Sequence, residues 1–343
     1  MNRIVPANPA NIARAAEILR AGGLVAFPTE TVYGLGANAL DPVAVRRIFT
    51  AKERPDWDPL IVHVSGLAMA RSLASELPPL FGPLAKKFWP GPITFVVGKS
   101  ARVPDEATAR RATVALRQPR HPVAAALLAA AGCPIGAPSA NRFGRPSPTT
   151  AEHVRDDLGD RIDLILDAGP TELGLESTVL DLTQSPPAIL RPGGVTREQL
   201  AALLGPVRLA AGVAEEIAAA GLAAPGMTLK HYAPQAAVEL FEDETALRTR
   251  LEKLRGQGTR VGVLGAGCRG TSVKHRDSGD ERLGSSQNLR STTEELAREL
   301  YAELRRFDAN GAEVILALMP PATGVGLAVR DRLARAAGPR PAG

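Results

Sequence analysis

Cationic side chains recur in loops stiffened by proline or glycine: Lys52 and Arg54 in "AKERPDWDPL", Arg117 at the end of "VALRQP", Arg145 in "NRFGRPSP" and Arg191 in "ILRPGG". Taken singly, each reads as a solvated surface group. Repeated placement on short rigid loops is less ordinary, because a cation held there loses little entropy on meeting an anion. Such a set suits a carboxylate together with phosphates. The loop "GAPSANRFGRPSPTT" adds Ser139, Asn141 and Ser147, short side chains able to bind phosphate or ribose oxygens, while Ser147 or Thr149 could equally cap the next helix. A further polar cluster lies in "LVAFPTETVYGLGANAL", residues 24–40, where Thr29, Glu30, Thr31 and Tyr33 crowd between an apolar run and Gly34 and Gly36. A strand that merely ended in a turn would not need four polar side chains there. From residue types alone, the chemistry is binding of a small anionic substrate, with a nucleotide as one candidate.

The elements that must position these residues follow from periodicity and punctuation. Asn8 and Pro9 open a helix with Ile12, Ala16 and Leu19 on one face and Gly22 beyond its end. "LVAF" reads as a strand, and Asp41 then caps a helix with Pro42 at its first position and Val45, Ile48 and Phe49 facing inward. Further strands are expected at "LIVHV" (60–64), "ITFVV" (from 93), "TVALR" (from 113), "DLILD" (from 163), "STVLDL" (from 177) and "AILR" (from 188), with helices near 79–88, 122–131 and 149–158. Thr196 and Gln199 make a capping box for a helix ending at Gly205. Residues 1–204 therefore read as one mixed α/β unit. Residues 205–235, Ala/Gly-rich and then "APGMTLKHYAP", read as a linker. From 236 to 343 the order strand, helix, strand, polar loop, helix, strand, helix predicts a small Rossmann-like three-layer α/β domain with a parallel sheet. Its helix from Thr292 opens with a second capping box, to Glu295, and carries Leu296, Leu300, Leu304 and Phe307 as a buried stripe.

The totals narrow the classes. A chain of 343 residues has room for two domains. Its net charge of +5 and isoelectric point near 9.5 favour anionic ligands or RNA as readily as they favour simple solubility. Two cysteines, Cys133 and Cys268, supply no disulfide framework, "MNRIVPANPA" lacks the apolar core of a signal peptide, and no apolar run approaches the ~18 residues of a membrane span. A cytoplasmic protein is expected. Gly265, Gly267 and Gly270 match G-x-G-x-x-G after a strand, but "TSVKHRDSGDERLGSSQ" follows where a dinucleotide site needs a helix to open. No phosphate-binding G-x-x-x-x-G-K-[ST] occurs, and histidines 63, 121, 153, 231 and 275 show no metal-ligand spacing, so no metal held by a protein motif is expected.

The ordered motifs "FPTETVYGLGANA", "AKERP", "PLIVHV", "FWPGPITFVV", "VALRQPRHP", "APSANRFGRPSPT", "LESTVLDL", "ILRPG" and "PGMTLKHYAP" closely resemble the threonylcarbamoyl-AMP synthases of the long, two-domain type. The match spans the first domain and the linker and thins in the second, where "ARELYAELRRFDANGAEVIL" and "GVGLAVRDRLARAA" carry it. The resemblance implies a YrdC-like twisted mixed sheet flanked by helices, followed by the smaller α/β domain. It also implies a nucleotidyltransferase that turns L-threonine, bicarbonate and ATP, with Mg2+ accompanying the nucleotide, into threonylcarbamoyl-AMP and pyrophosphate. The product then feeds tRNA modification beside the anticodon through a separate transferase.

By the same resemblance, Thr31, His63, Arg117, Ala137 and Ser177 form the threonine pocket. Lys52, Arg54, Asp58, Thr113, Ser139, Asn141, Ser147 and Arg191 bind ATP, together with Tyr232 from a linker reaching over the site. Asp58 departs from the family pattern, in which asparagine is common. Lys52 and Arg54 are the residues expected to carry the rate, by neutralising charge as a carbamate oxygen attacks the α-phosphorus. Bicarbonate has no recognisable motif. The rival reading is an RNA-binding module in which the same arginines meet phosphates without turnover. Against it stand an aromatic content of 4% and no basic run interleaved with aromatic residues.

Overall fold

The computed structural model describes residues 3–210, 232–265 and 292–338. The chain divides into two compact units, one of Met1–Phe143 with Ser147–Thr228 and the other of Gly144–Pro146 with Leu229–Gly343.

In the first unit the order is β1 (Ile4–Pro6), α1 (Pro9–Arg20), β2 (Val25–Phe27), β3 (Gly34–Asn38), α2 (Pro42–Lys52), β4 (Ile61–His63), α3 (Leu67–Leu73), α4 (Phe81–Phe88), β5 (Ile93–Gly98), α5 (Asp105–Thr108), β6 (Thr113–Arg117), α6 (Pro122–Ala131), β7 (Ile135–Gly136), α7 (Ala151–Leu158), β8 (Leu164–Asp167), β9 (Thr178–Asp181), β10 (Ala188–Arg191), α8 (Arg197–Leu204) and β11 (Arg208–Leu209). Among the described residues these strands make one sheet of order β1-β8-β2-β3-β7-β4-β6-β5-β9-β10-β11, mixing parallel and antiparallel pairs. The expected helices form, three with the caps expected: the Asn8 side chain accepts from Asn11 N at 2.9 Å, Asp41 from Val43 N at 2.9 Å, and Thr196 and Gln199 close their capping box; α7 is capped by Thr150, which accepts from His153 N at 3.3 Å, and not by Ser147 or Thr149.

Side-chain alternation assigns each face of the sheet. One face carries the main core: Ala26 of β2, Leu35 and Ala37 of β3, Val62 of β4, Ile93, Phe95 and Val97 of β5, Leu116 of β6, Leu180 of β9 and Ile189 of β10. The opposite face is shared. Over β2, β7 and β8 it is covered by α1 and α6 through Ala15, Leu19, Leu127 and Leu128. Over β4, β5, β6, β9 and β10 it bears only a small apolar cluster of Ile61, Val96, Ala115, Val179 and Leu190. His63 shares that face with Ile61, Thr113 and Arg117 share it with Ala115, and Thr94 shares it with Val96.

Strand β3 was not expected from its residues, because "GLGAN" reads as a loop. Its glycines are a packing requirement: a Cβ on Gly36 would stand 2.7 Å from Ile135 Cγ2 and 2.8 Å from Phe27 Cε1. Strands β1, β7 and β11 were likewise unread; β11 pairs with β10 within residues assigned by composition to the linker.

The second unit contains β12 (Ala237–Phe241), α9 (Glu244–Gly256), β13 (Val261–Leu264), α10 (Thr293–Ala309), β14 (Val314–Leu318) and α11 (Gly326–Ala337). The three strands are parallel in the order β12-β14-β13, with α9 packing Leu247 and Leu254 on one side. Phe307 of α10 lies over Gly262 on the other, where an added Cβ would meet its ring at 2.6 Å. This is the three-layer arrangement that the sequence predicts, down to the Thr292–Glu295 capping box. The candidate dinucleotide loop falls almost wholly in residues 266–291, outside the described residues.

Candidate functional site

Helix α2 delivers the first cation. Lys52 is its last residue, where a positive charge favours the helix C-terminus, and Glu53 then turns the chain with a left-handed φ of +54°. Lys52 is 1% exposed, and its ammonium donates to the carbonyl oxygens of Ser139, at 2.5 Å, and Asn141. In return, Phe143 N donates to Lys52 O at 2.9 Å. The loop carrying Ser139 and Asn141 is thus tied to the helix end, and the Ser139 hydroxyl donates to the Asn141 side-chain oxygen at 2.5 Å.

Arg54 follows immediately, 7% exposed, with Nε donating to Asp58 O at 3.2 Å and Nη2 to Pro59 O at 3.0 Å. Its Nη2 lies 2.9 Å from the Asp58 carboxylate. Asp58 is fully buried and neither of its carboxylate oxygens accepts a hydrogen bond, because the arginine approaches outside bonding angles. Burial pushes the Asp58 carboxyl up, opposed by the charges of Arg54, Lys52, Arg191 and Arg111. Arg191, at the end of β10, is 3% exposed and donates from Nε and Nη2 to Ser177 O, at 3.2 and 3.0 Å. Its Nη2 also reaches the Ser177 hydroxyl at 3.3 Å, and that hydroxyl is 2.8 Å from Thr94 Oγ1. Gly193 is required here, since its Cβ would approach Glu176 O and Thr178 N to 2.4 Å.

The cluster in "PTETVYG" divides its labour. The Thr29 hydroxyl donates to Val32 O at 2.6 Å and accepts from the backbone N–H groups of Thr31 and Val32, fixing the turn. With the Thr29 proton so committed, the 2.7 Å contact between the two hydroxyls makes Thr31 the donor, which leaves lone pairs on Thr31 Oγ1 as acceptors. Tyr33 is a brace: its hydroxyl donates to Gly169 O at 2.8 Å, and burial, together with Asp167, pushes its phenol up. Glu30 faces Arg117 at 2.8 Å and accepts from Arg120 N at 3.2 Å. Burial acts to raise its carboxyl, but Arg117 outweighs it and holds the group below its ordinary range. The Arg117 Nη2 is itself the atom paired with Glu30 Oε1, an ion pair at angles poor for a hydrogen bond.

His63 and Arg117 are register partners on β4 and β6. Burial, with Arg117 reinforcing it, drops the His63 imidazole to about 3, so the ring is neutral; its Nδ1 is buried without a hydrogen-bond partner and the ring stands perpendicular to that of Phe27. Ala137 leaves β7 with its N–H on Ile61 O at 2.8 Å. Ser147 donates to Glu176 at 2.6 Å, both buried. Thr113 opens β6 on the same face as Arg117 and four residues away, hence ~13 Å at the usual rise per residue.

The first unit thus contains every expected site residue except Tyr232. Lys52, Arg54, Asp58 and Arg191 converge electrostatically, and Arg191 links through Ser177 to the pocket group. Tyr232 belongs to the second unit, where its ring stacks on Tyr301 at a centroid distance of 5.4 Å and lies under Arg332 at 5.3 Å. Arg145 also falls there, 4.0 Å from Asp308. Residues not singled out from the sequence are Arg111, Thr94 and Glu176, together with Glu30 as the partner of Arg117. Glu176 has one signal, its place beside Ser177 in "LEST"; the others acquire meaning only through distant partners. Among the described residues no three His, Cys, Asp or Glu side chains group as a metal cage. No described helix is long and apolar enough to cross a membrane.

Comparison with known proteins gives a consistent picture. The Sua5_yciO_yrdC model, described as "Telomere recombination", matches residues 17–193, and the model described as "Threonylcarbamoyl-AMP synthase, C-terminal domain" matches residues 195–338. The threonylcarbamoyl-AMP synthase of Pyrococcus abyssi is 45% identical over 331 residues, covering 95% of this chain and 94% of that protein. That of Bacillus subtilis is 43% identical over 335 residues, covering 97% and 94%. The crystal structure of P. abyssi Sua5 complexed with L-threonine superposes with a TM-score of 0.87 at 43% identity, over 97% of this chain and 96% of that one. Shared architecture, end-to-end coverage and this level of identity place the chain in the two-domain threonylcarbamoyl-AMP synthase family.

Proposed function

We propose that this protein makes threonylcarbamoyl-AMP and pyrophosphate from L-threonine, bicarbonate and ATP, the adenylate serving modification of tRNA beside the anticodon. The observation that carries this reading is the pair of bonds from Arg191 to Ser177. They join the residues assigned to the nucleotide with those assigned to the amino acid on one face of one sheet.

In this reading Arg117 Nη2 donates to the threonine carboxylate, Thr31 Oγ1 accepts from the amine or hydroxyl, and neutral His63, Ala137 and Ser177 complete the wall. The amine adds to bicarbonate-derived carbon dioxide, giving a carbamate. A carbamate oxygen attacks the α-phosphorus, and the bond to the pyrophosphate breaks. Both reactants are anionic, and two unit charges ~4 Å apart repel by about 4 kcal/mol at an effective dielectric near 20. Lys52, Arg54 and Arg191 offset this, being fixed by carbonyl oxygens before substrate arrives, so little reorganisation accompanies the reaction. Ser139, Asn141, Ser147 and Thr113 orient the nucleotide; the linker expected at 205–235 to reach over it lies, at 211–231, outside the described residues. Mg2+ travels with ATP and neutralises phosphate charge when bound. The product passes to a separate transferase.

The test is pyrophosphate release from ATP with threonine and bicarbonate each supplied or withheld. Release dependent on both supports the synthase. Release indifferent to threonine sinks it. RNA affinity with a steep salt dependence and no turnover would favour the RNA-binding reading instead.

A further inference from the structure

Asp58, a buried carboxylate at the end of the site assigned to the nucleotide, pairs with Arg54 and feels the charges of three further cations. Asp58 has no exposed surface, and no hydrogen bond reaches either of its oxygens. The charges that act on it are those of Arg54 in the loop after α2, Lys52 at the end of that helix, Arg191 at the end of β10 and Arg111 before β6. Arg54 makes the direct ion pair at 2.9 Å. Arg111 has a buried Nε without a partner, and its backbone is fixed by a hydrogen bond from Thr108 Oγ1 to Arg111 O at 3.2 Å. A buried carboxylate whose close contact is an ion pair outside hydrogen-bonding angles acts through its charge.

We propose that Asp58 is a resident counter-anion for the cation cluster, Arg111 included, and that it takes up a proton when the polyphosphate of ATP replaces it as the partner of those cations. The inference rests on the proposed synthase reading. Without nucleotide, ionised Asp58 keeps Lys52, Arg54, Arg111 and Arg191 from repelling one another. When phosphate oxygens enter, the same carboxylate becomes a like charge in a buried site. Neutralising it by protonation is the inexpensive response, since burial already disfavours its ionised form. The proton comes from solvent and binds to a carboxylate oxygen; no bond in ATP changes. An asparagine at this place would bind nucleotide without such linkage, so the aspartate gives this chain a pH-dependent nucleotide affinity.

The test is titration calorimetry of ATP into the full chain, threonine and bicarbonate withheld, in two buffers of different ionisation enthalpy, giving protons taken up per ATP bound. Protons exchanged by the phosphates are common to all variants and cancel in the comparison. Wild-type protein is expected to take up more protons at pH 7 than Asp58→Asn. The apparent Kd should rise toward ten-fold per pH unit above neutrality in the wild type relative to the variant. Arg111→Gln, which leaves the acid in place, should fall between them, because one fewer cation leaves Asp58 more protonated beforehand. Equal proton counts in wild type and Asp58→Asn, with ATP bound by both, overturn the inference and leave the synthase reading standing. Should Asp58→Asn not fold, equal counts in wild type and Arg111→Gln overturn it. Failure of ATP to bind the wild type removes the synthase reading and this inference together.

Discussion

At the scale of single residues, the site is held by main-chain carbonyl groups, and the consequences of removing a side chain follow from what it leaves behind. Lys52→Ala takes away the ammonium that ties Ser139 O and Asn141 O to the end of α2. Turnover is expected to fall by about 10²-fold or more, the usual loss for a pre-positioned charge in a transition-state site, with the melting transition retained. Normal pyrophosphate release would contradict the role given to Lys52. His63 makes a different prediction. Its ring is neutral when folded, with a depressed value near 3, whereas in the unfolded chain it titrates near the ordinary 6.5. Below that pH the unfolded state binds the extra proton, so stability is full above ~6.5 and falls as pH drops. The loss between pH 6.5 and 5 is about 2 kcal/mol at 1.36 kcal/mol per unit. Denaturant unfolding of wild type and His63→Gln at the two pH values checks it, since the variant should lose that part of the slope.

Elements decide where those residues stand, and here legibility in the sequence was uneven for physical reasons. Helices α1 and α2 were readable because a cap, a proline at the first helical position and one apolar face all agreed, and α8 because of its capping box. Strand β3 was not, because glycine carries no strand preference and only the Phe27 ring and the Ile135 methyl against Gly36 explain it. Strand β7 has two residues and owes its existence to neighbours on both sides. The site divides the same way. Loop cations and hydroxyl residues could be picked out by type, and the family resemblance assigned them roles. Arg111 and Glu30 could not be weighed without Asp58 and Arg117, which lie more than fifty positions away. Two element-scale predictions follow from close approaches and caps. Gly193→Ala would press a methyl against Glu176 O and Thr178 N, displacing Ser177 and Arg191; activity should fall by about 10²-fold, as a misplacement near 1 Å can cause. An unchanged kcat/KM would show that this turn tolerates the shift. Thr196→Ala removes the hydroxyl that accepts from Gln199 N and should cost about 1 kcal/mol in chemical denaturation without altering KM, a useful contrast.

Across the whole molecule, the first unit contains the proposed chemistry, while Tyr232, assigned to the nucleotide by resemblance, packs within the second against Tyr301 and Arg332. A chain ending after Ala210 keeps β11 on the sheet edge, and it is expected to fold yet lose nearly all turnover, because the nucleotide contact assigned to Tyr232 goes with the rest. Full pyrophosphate release from that truncation would reduce the second unit to a structural appendage. The allocation of faces on the large sheet has one more consequence. Thr113 and Arg117 lie on one face of a single strand, with Val114 and Leu116 on the other. Slipping β6 by one residue would turn both polar groups into the main core and both apolar ones out, so the nucleotide and amino-acid ends would be lost in the same event. There is no half-working pairing of this strand. A partly misfolded preparation should therefore behave as a mixture of intact and silent molecules: apparent kcat scales with the native fraction while KM for either substrate stays constant, and active-site titration becomes a direct count of correctly assembled sheets.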